Sequence, residues 1–379
     1  MTEETKLPMM METIQTAVAT GVDGATVITS GMSYEKATPE PLVQNIWNYI
    51  LGFTGSAPPC YAAKPMLHIL REAEAILKAE PTVLNLRGPM LHILREAEAI
   101  LKVEPTVLNL RGPVTIIGGV HGQGDNLVSL MAHGGFPPSS TYVFLGNYAG
   151  PGFAPHEVLF MLLAWKIKFP KNIYLLKGSL EDAEVLKSHD FLLGLQRRQL
   201  FDDVLVWAYI EQILQSFPLA AIVNDFYFLV SGGIGPELCR QGLNGLRNVQ
   251  RPPRLTSHMA MTLECQWACL KMADDGETAT DGSPLFTEAM VAQFCKDNKL
   301  KLIIRSRQIV AEGILNYPEQ MLTIWSAMSY LDSFRNAACG IRLNPDFNKA
   351  VVFQIIQHEE DPKSLDEAKP APGRNVIQL

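Results

Sequence analysis

Between Val114 and Ile356, short apolar runs that stop at glycine alternate with stretches of helical period, and this alternation most constrains the fold. V-T-I-I-G-G (114–119), T-Y-V-F-L-G (141–146), N-I-Y-L-L-K-G (172–178) and F-Y-F-L-V-S-G-G (226–233) each read as a strand ending in a loop. The segment 156–168 and the region from Leu195 to Phe217 read as helical, because their apolar residues recur at helical spacing. Further strands are expected at 301–306, 321–327 and 350–356, and a helix at 288–295. Strands separated by helices make an α/β protein, whose chemistry gathers in loops at the carboxyl ends of the strands. The first of these loops, in V-T-I-I-G-G-V-H-G-Q, delivers His121 and has no carboxylate where a strand-end metal site would want one.

No Pro/Gly-rich linker interrupts 114–356, so one domain is expected over 41–357. Residues 1–40 are polar, with weak periodicity, and read as a poorly ordered arm. Residues 358–379 are charged and Pro-containing and read as a disordered tail. Pro41 to Phe53 has helical spacing. Residues 65–88 then recur at 89–112 with Val103 in place of Ala79. Each copy is an amphipathic helix followed by an extended T-V-L-N-L piece. A solenoid takes about three repeats or more, so this pair reads as a recent duplication or a sequence-assembly error, not as a functional repeat. The second copy feeds the Val114 strand, which makes the first the insertion.

With 47% apolar residues the chain can bury a sizeable core. The net charge of −7 argues against nucleic acid as a partner, since such domains carry a basic face. The six cysteines form no C-x-x-C pair and read as reduced thiols. The N-terminus is polar and acidic, unlike a signal peptide, and no window approaches the ~18 apolar residues of a membrane span. A cytoplasmic or nuclear location and no membrane partner are expected.

From Leu91 to Ile356 the strand-end motifs occur in an order that closely resembles the catalytic subunits of the phosphoprotein phosphatase superfamily of Ser/Thr phosphatases, type one especially. The segments G-G-F-P-P-S-S-T-Y-V-F-L-G and M-L-L-A-W-K-I-K-F-P-K-N-I-Y-L-L-K-G match almost in step. The resemblance implies a calcineurin-like metallophosphoesterase fold: two mixed β-sheets in a sandwich, helices outside, and two metal ions at the strand ends. It also implies a set of site residues, most of which are replaced. The family's G-D-x-H-G is G-G-V-H-G here, keeping His121 and placing Gly119 at an aspartate ligand. Its G-D-x-V-D-R-G is G-N-Y-A-G-P-G, with Asn147 at the bridging aspartate, Gly150 at an acidic partner and Pro151 at a phosphate-binding arginine. Its R-G-N-H-E is K-G-S-L-E, with Ser179 at a ligand asparagine and Leu180 at the histidine taken as general acid; Gly178 and Glu181 are kept. Its H-G-G and R-A-H-Q place Ser231 and Arg307 at two histidine ligands. Tyr330, in S-A-M-S-Y, matches a tyrosine beside the site.

A two-metal hydrolase needs anionic and imidazole ligands to hold two dications ~3.5–4 Å apart. Among Gly119, His121, Asn147, Ser179, Ser231 and Arg307, His121 alone keeps its ligand. Asn147 and Ser179 offer neutral oxygens that cannot cancel the repulsion between dications. A guanidinium ~4 Å from a dication costs on the order of 8 kcal/mol at an effective dielectric of ~20. Leu180 cannot protonate a leaving alkoxide, and Pro151 cannot clamp phosphate. The expectation is therefore a pseudophosphatase with no cofactor. The alternative is an active phosphoserine/phosphothreonine phosphatase with rearranged ligands and two divalent metals (manganese, iron or zinc). His121 reads as a structural histidine, and the remaining histidines form no H-x-x-x-H or H-E-x-x-H pattern.

Two binding readings remain. Type-one phosphatases dock regulatory peptides by strand addition with two apolar anchors. The matching positions here are Leu302, Val351 and Phe353, with Lys301 replacing an acidic residue and Asn316 an aromatic one. The implied partners are proteins: phosphatase regulatory subunits or phosphoproteins. By the second reading, Arg305, Arg307 and Lys177 converge on a cationic pocket for an uncleaved phosphopeptide.

Overall fold

The computed structural model describes residues 25–26, 87–197, 203–271, 281–344, 349–357 and 375–378. The helix expected at 41–53 and nearly all of the first repeat copy lie outside them. The second copy forms α1 (Arg87–Val103) and β2 (Val107–Leu110), a helix and an extended piece as its pattern predicts.

Sheet one contains β3 (Val114–Ile117), β4 (Tyr142–Phe144), β5 (Ile173–Leu175), β13 (Ala338–Leu343) and β14 (Lys349–Gln357). Two short strands, β1 (Ala25–Thr26) and β15 (Asn375–Gln378), both pair with β14, and the order is β1-β14-β13-β3-β4-β5. β3, β4 and β5 run parallel; β13 and β14 are antiparallel to their neighbours. Sheet two has the order β11-β12-β10-β7-β6-β2. Its members besides β2 are β6 (Ala220–Val223), β7 (Tyr227–Val230), β10 (Leu302–Arg305), β11 (Ile314–Asn316) and β12 (Met321–Ile324). A third pair joins β8 (Cys269–Leu270) to β9 (Leu285–Phe286).

The period-2 alternation of side chains divides the core into three parts. Ile116, Val143 and Ile341 of sheet one meet Leu229, Ile304 and Ile324 of sheet two in the layer between the sheets. The opposite face of sheet one, carrying Ile117, Phe144 and Phe353, is covered by α1, α2 (Gly124–Gly134), α3 (Pro155–Lys168), α4 (Ala183–Ser188), α5 (Phe191–Arg197) and α6 (Asp203–Leu214). The outer face of sheet two packs on α7 (Pro236–Arg247), α8 (Thr256–Trp267) and α9 (Glu288–Asn298). The result is the two-sheet mixed sandwich with helices outside.

The region 195–217 is helical where it is described, in α5 and α6. The arm at 1–40 and the tail at 358–379 lie outside the described residues except for β1 and β15, which pair with the outer side of β14. The edge backbone of β14 offers hydrogen-bond partners that no local pattern in the arm or tail reveals. Segments that carry no clear period also form elements. α7 contains Gly242 at φ 63, which breaks it mid-run, and β13 alternates through Gly340 and Arg342.

Candidate functional site

The strand ends of both sheets converge at the loop after β3. Gly118 lies against sheet two, where a β-carbon would stand 2.8 Å from the Ile324 carbonyl oxygen. Its N–H donates to Ser326 Oγ at 2.8 Å, and the Gly119 N–H donates to Ser306 Oγ at 3.0 Å. Two hydroxyls from the loops after β10 and β12 thus pin this turn.

His121 follows in a left-handed conformation, φ 49. Its N–H donates to the Asn147 carbonyl at 2.9 Å, and its carbonyl accepts from the Gly152 N–H at 2.9 Å. The imidazole is 5% exposed and stacks on Trp325, with ring centroids 4.6 Å apart and planes at 24°. Tyr330 meets it edge-on at 4.8 Å. Neither ring nitrogen has a hydrogen-bond partner. Burial, reinforced by the positive charges of Arg307 and His189, pulls the imidazole down to about 3, so it is neutral at physiological pH.

The loop after β4 holds Asn147 at φ 58. Its side-chain oxygen accepts from Ser179 Oγ at 3.1 Å and from the Leu180 N–H at 3.0 Å, so amide and hydroxyl bond to each other. Glu181 is buried beneath them. Its carboxylate accepts from the backbone N–H groups of Asn147 (2.7 Å), Gly178 (2.8 Å) and Tyr148 (2.9 Å). Burial raises this carboxyl, and the three N–H groups oppose that rise. Gln266 Nε2 donates to the Gly178 carbonyl at 2.8 Å, tying the loop to α8.

Ser231 is buried with its hydroxyl unpartnered. Leu180 is buried and Pro151 exposed. Arg307, at φ 78, donates from Nη2 to Asp281 Oδ2 at 3.0 Å and to Ser283 Oγ at 3.3 Å, with its guanidinium 4.8 Å from the Trp267 ring centroid. An acid, a hydroxyl and an indole therefore hold this cation in place.

These residues do not fit a two-metal centre. The donor set is one neutral imidazole packed between two aromatic rings, an amide oxygen already bonded twice, two hydroxyls, a glycine and a fixed guanidinium. Among the described residues no group of three or more His, Cys, Asp or Glu side chains could hold a metal ion.

The two arginines of the expected cationic trio are committed to protein partners, Arg307 to Asp281 and Ser283. Arg305 is fully buried, and desolvation pulls it down to about 9. It donates to the Ala268 carbonyl and to Gln308 Oε1, which turns it into the core. The docking positions divide as well. Leu302 is buried between the sheets, whereas Phe353 is buried on the helix side, stacked on His133 at 6.5 Å. Val351 is half-buried two residues from Phe353 on the same face of β14.

Trp325, Ser306, Ser326, Gln266 and Asp281 give the site its present form and escaped the motif comparison. The one sequence signal was position: Trp325 and Ser326 directly follow the β12 strand.

A fold with two mixed sheets and converging strand-end loops is that of the metal-dependent phosphoesterases, and residues 112–306 match the calcineurin-like phosphoesterase family; the chain belongs to it. Among solved structures it is similar to a Saccharomyces cerevisiae protein serine/threonine phosphatase with similarity to human phosphatase PP5. That match has 24% identity, 79% of this chain and 98% of that one covered, and a TM-score of 0.65, and it shows the fold. A cold-active protein-tyrosine phosphatase of a psychrophilic Shewanella matches at 16% identity over 69% of this chain and 84% of its own, with a TM-score of 0.43. Among the described residues, no helix is long and apolar enough to cross a membrane.

Proposed function

We propose that this chain is a pseudophosphatase of the Ser/Thr protein phosphatase type, a phosphoesterase fold that binds proteins and does not hydrolyse phosphate. The observation that carries the reading is the packing of His121. The retained ligand-type side chain lies between Trp325 and Tyr330, neutral and without a polar partner, beside a glycine where the resemblance implies an aspartate. Metal hydrolysis depends on a complete and oriented ligand set. Replacing two of those positions by Ser231 and a tethered Arg307 removes more than a rearrangement can restore.

The binding role is supported by β14, where Val351 and Phe353 remain apolar at alternate positions on its helix-side face. Its ligands would be extended segments of phosphatase regulators or phosphoproteins.

The test has two parts. The purified chain is analysed for manganese, iron and zinc and assayed on an aryl phosphate and a phosphoserine peptide; metal well under one ion per chain and no turnover are expected. Two ions per chain, with turnover lost in Asn147→Ala, would overturn the inactive reading. Binding of a labelled extended peptide with two apolar anchors should weaken in Val351→Lys; unchanged binding removes β14 as the docking strand.

A further inference from the structure

The longest strand of sheet one would present an open edge if the chain did not cover it. β14 bonds through one side to β13 along its length, from Ala338↔Ile355 to Leu343↔Ala350. On its other side, Lys349–Val352 pair antiparallel with β15, in the register Lys349↔Gln378, Ala350↔Ile377, Val351↔Val376 and Val352↔Asn375. Ile356 and Gln357 pair with β1. Both covering strands are short and come from segments far from the strand's own hairpin. An uncovered edge is a template for any extended chain, and covering it is the usual remedy.

We infer that β15 is an exchangeable resident of a strand-docking edge: the C-terminal segment occupies Lys349–Val352 of β14 and yields it to an extended peptide of another protein. This deepens the proposed function by naming how its docking edge is regulated, and it rests on that reading.

Two features of β15 make exchange feasible. Only four residue pairs hold it, so the backbone ordering of a short strand is set against few ladder bonds, and the balance lies close to even. It follows β14 in the same chain after 17 residues (358–374), and covalent linkage over so short a span keeps a strand near its edge at an effective concentration on the order of millimolar. A strand so held excludes weak ligands and is displaced by tight ones. The register matters too: β15 pairs with the segment containing Val351, so an incoming strand and β15 cannot share it.

The test uses the full chain, a variant ending at residue 374, and a full-length variant with Val376→Pro and Ile377→Pro, which removes N–H donors from the ladder. The first probe is a fluorescein-labelled peptide of residues 369–379. It should bind the truncated chain and the double-proline variant about twofold tighter than the full chain, as a competitor docked about half the time requires. Amide exchange at Lys349–Val352 should quicken on truncation and slow again when the peptide is added. Equal binding to all three proteins, no binding to any, or unchanged exchange overturns the inference. The second probe is the two-anchor peptide. If it binds neither full nor truncated chain while the 369–379 peptide behaves as stated, the docking reading fails and the self-pairing stands. If it binds both equally well, the docking reading stands and exchange by β15 fails.

Discussion

A β-carbon on Gly119 would stand 2.6 Å from Nε2 of His121. The glycine that resemblance places at an aspartate ligand thus makes room for the ring of the remaining ligand-type residue. A side chain at position 119 and the inward packing of the imidazole compete for the same space.

Restoring the acid at that position should therefore harm the protein. Gly119→Asp forces the imidazole off Trp325, an overpacking change that costs about 1–3 kcal/mol in urea denaturation. Unchanged stability, or manganese bound near one ion per chain, would show that the site still opens to metal.

Acid should destabilise the chain through His121. The folded ring titrates at about 3 against 6.5 for the ordinary group, so the unfolded state takes up the proton first as pH falls. The contribution is complete above 6.5 and is lost as pH drops from there toward 3, at up to about 1.4 kcal/mol per pH unit. Glu181 is shifted upward and acts in the opposite sense, so the effect is read as a difference between the chain and His121→Asn. The variant should show the shallower fall; parallel curves would place the ring in a hydrated, protonatable setting.

Glu181 should matter for stability without any catalytic role. It accepts three backbone N–H bonds that join the loops after β4 and β5. In Glu181→Gln an NH₂ faces one of those donors, and the unsatisfied pair should cost about 1–3 kcal/mol. Thermal and urea unfolding both read this; a neutral outcome would mean that water replaces the carboxylate.

Arg307→His restores a ligand-type side chain and should still leave metal content well under one ion per chain, because Gly119, Asn147, Ser179 and Ser231 are unchanged. Losing the half-exposed pair with Asp281 should change stability by about 1 kcal/mol or less. With the guanidinium gone, the His121 titration followed by NMR should move up toward the ordinary range. An unmoved titration would sever the link between these two residues.

The alternation of strand and helix was legible in local sequence because each run carries its own period. β4, β5, β7, β10 and β12 all lie within the apolar stretches that announced them, and β14 extends its stretch by one residue at each end. The candidate ligand positions come from the family resemblance, each at a fixed offset from a strand end. What local sequence could not show was how those positions are satisfied. The Asn147–Ser179 bond, the tether from Arg307 to Asp281 and the Trp325 stack join residues distant in the chain. Leu302 and Phe353 looked like parts of one groove because both alternate within strands; periodicity says that a residue is buried, not in which core layer.

The sequence by itself determined the class of fold and the residue types that stand at its strand ends, because both are read from residue type and spacing. Only the tertiary structure decided that His121 is sealed and neutral, that Arg307 is fixed by an acid, and that β15 covers β14. Each of these depends on through-space burial and pairing, which set a group's solvation and partners and leave no trace in its chain neighbours.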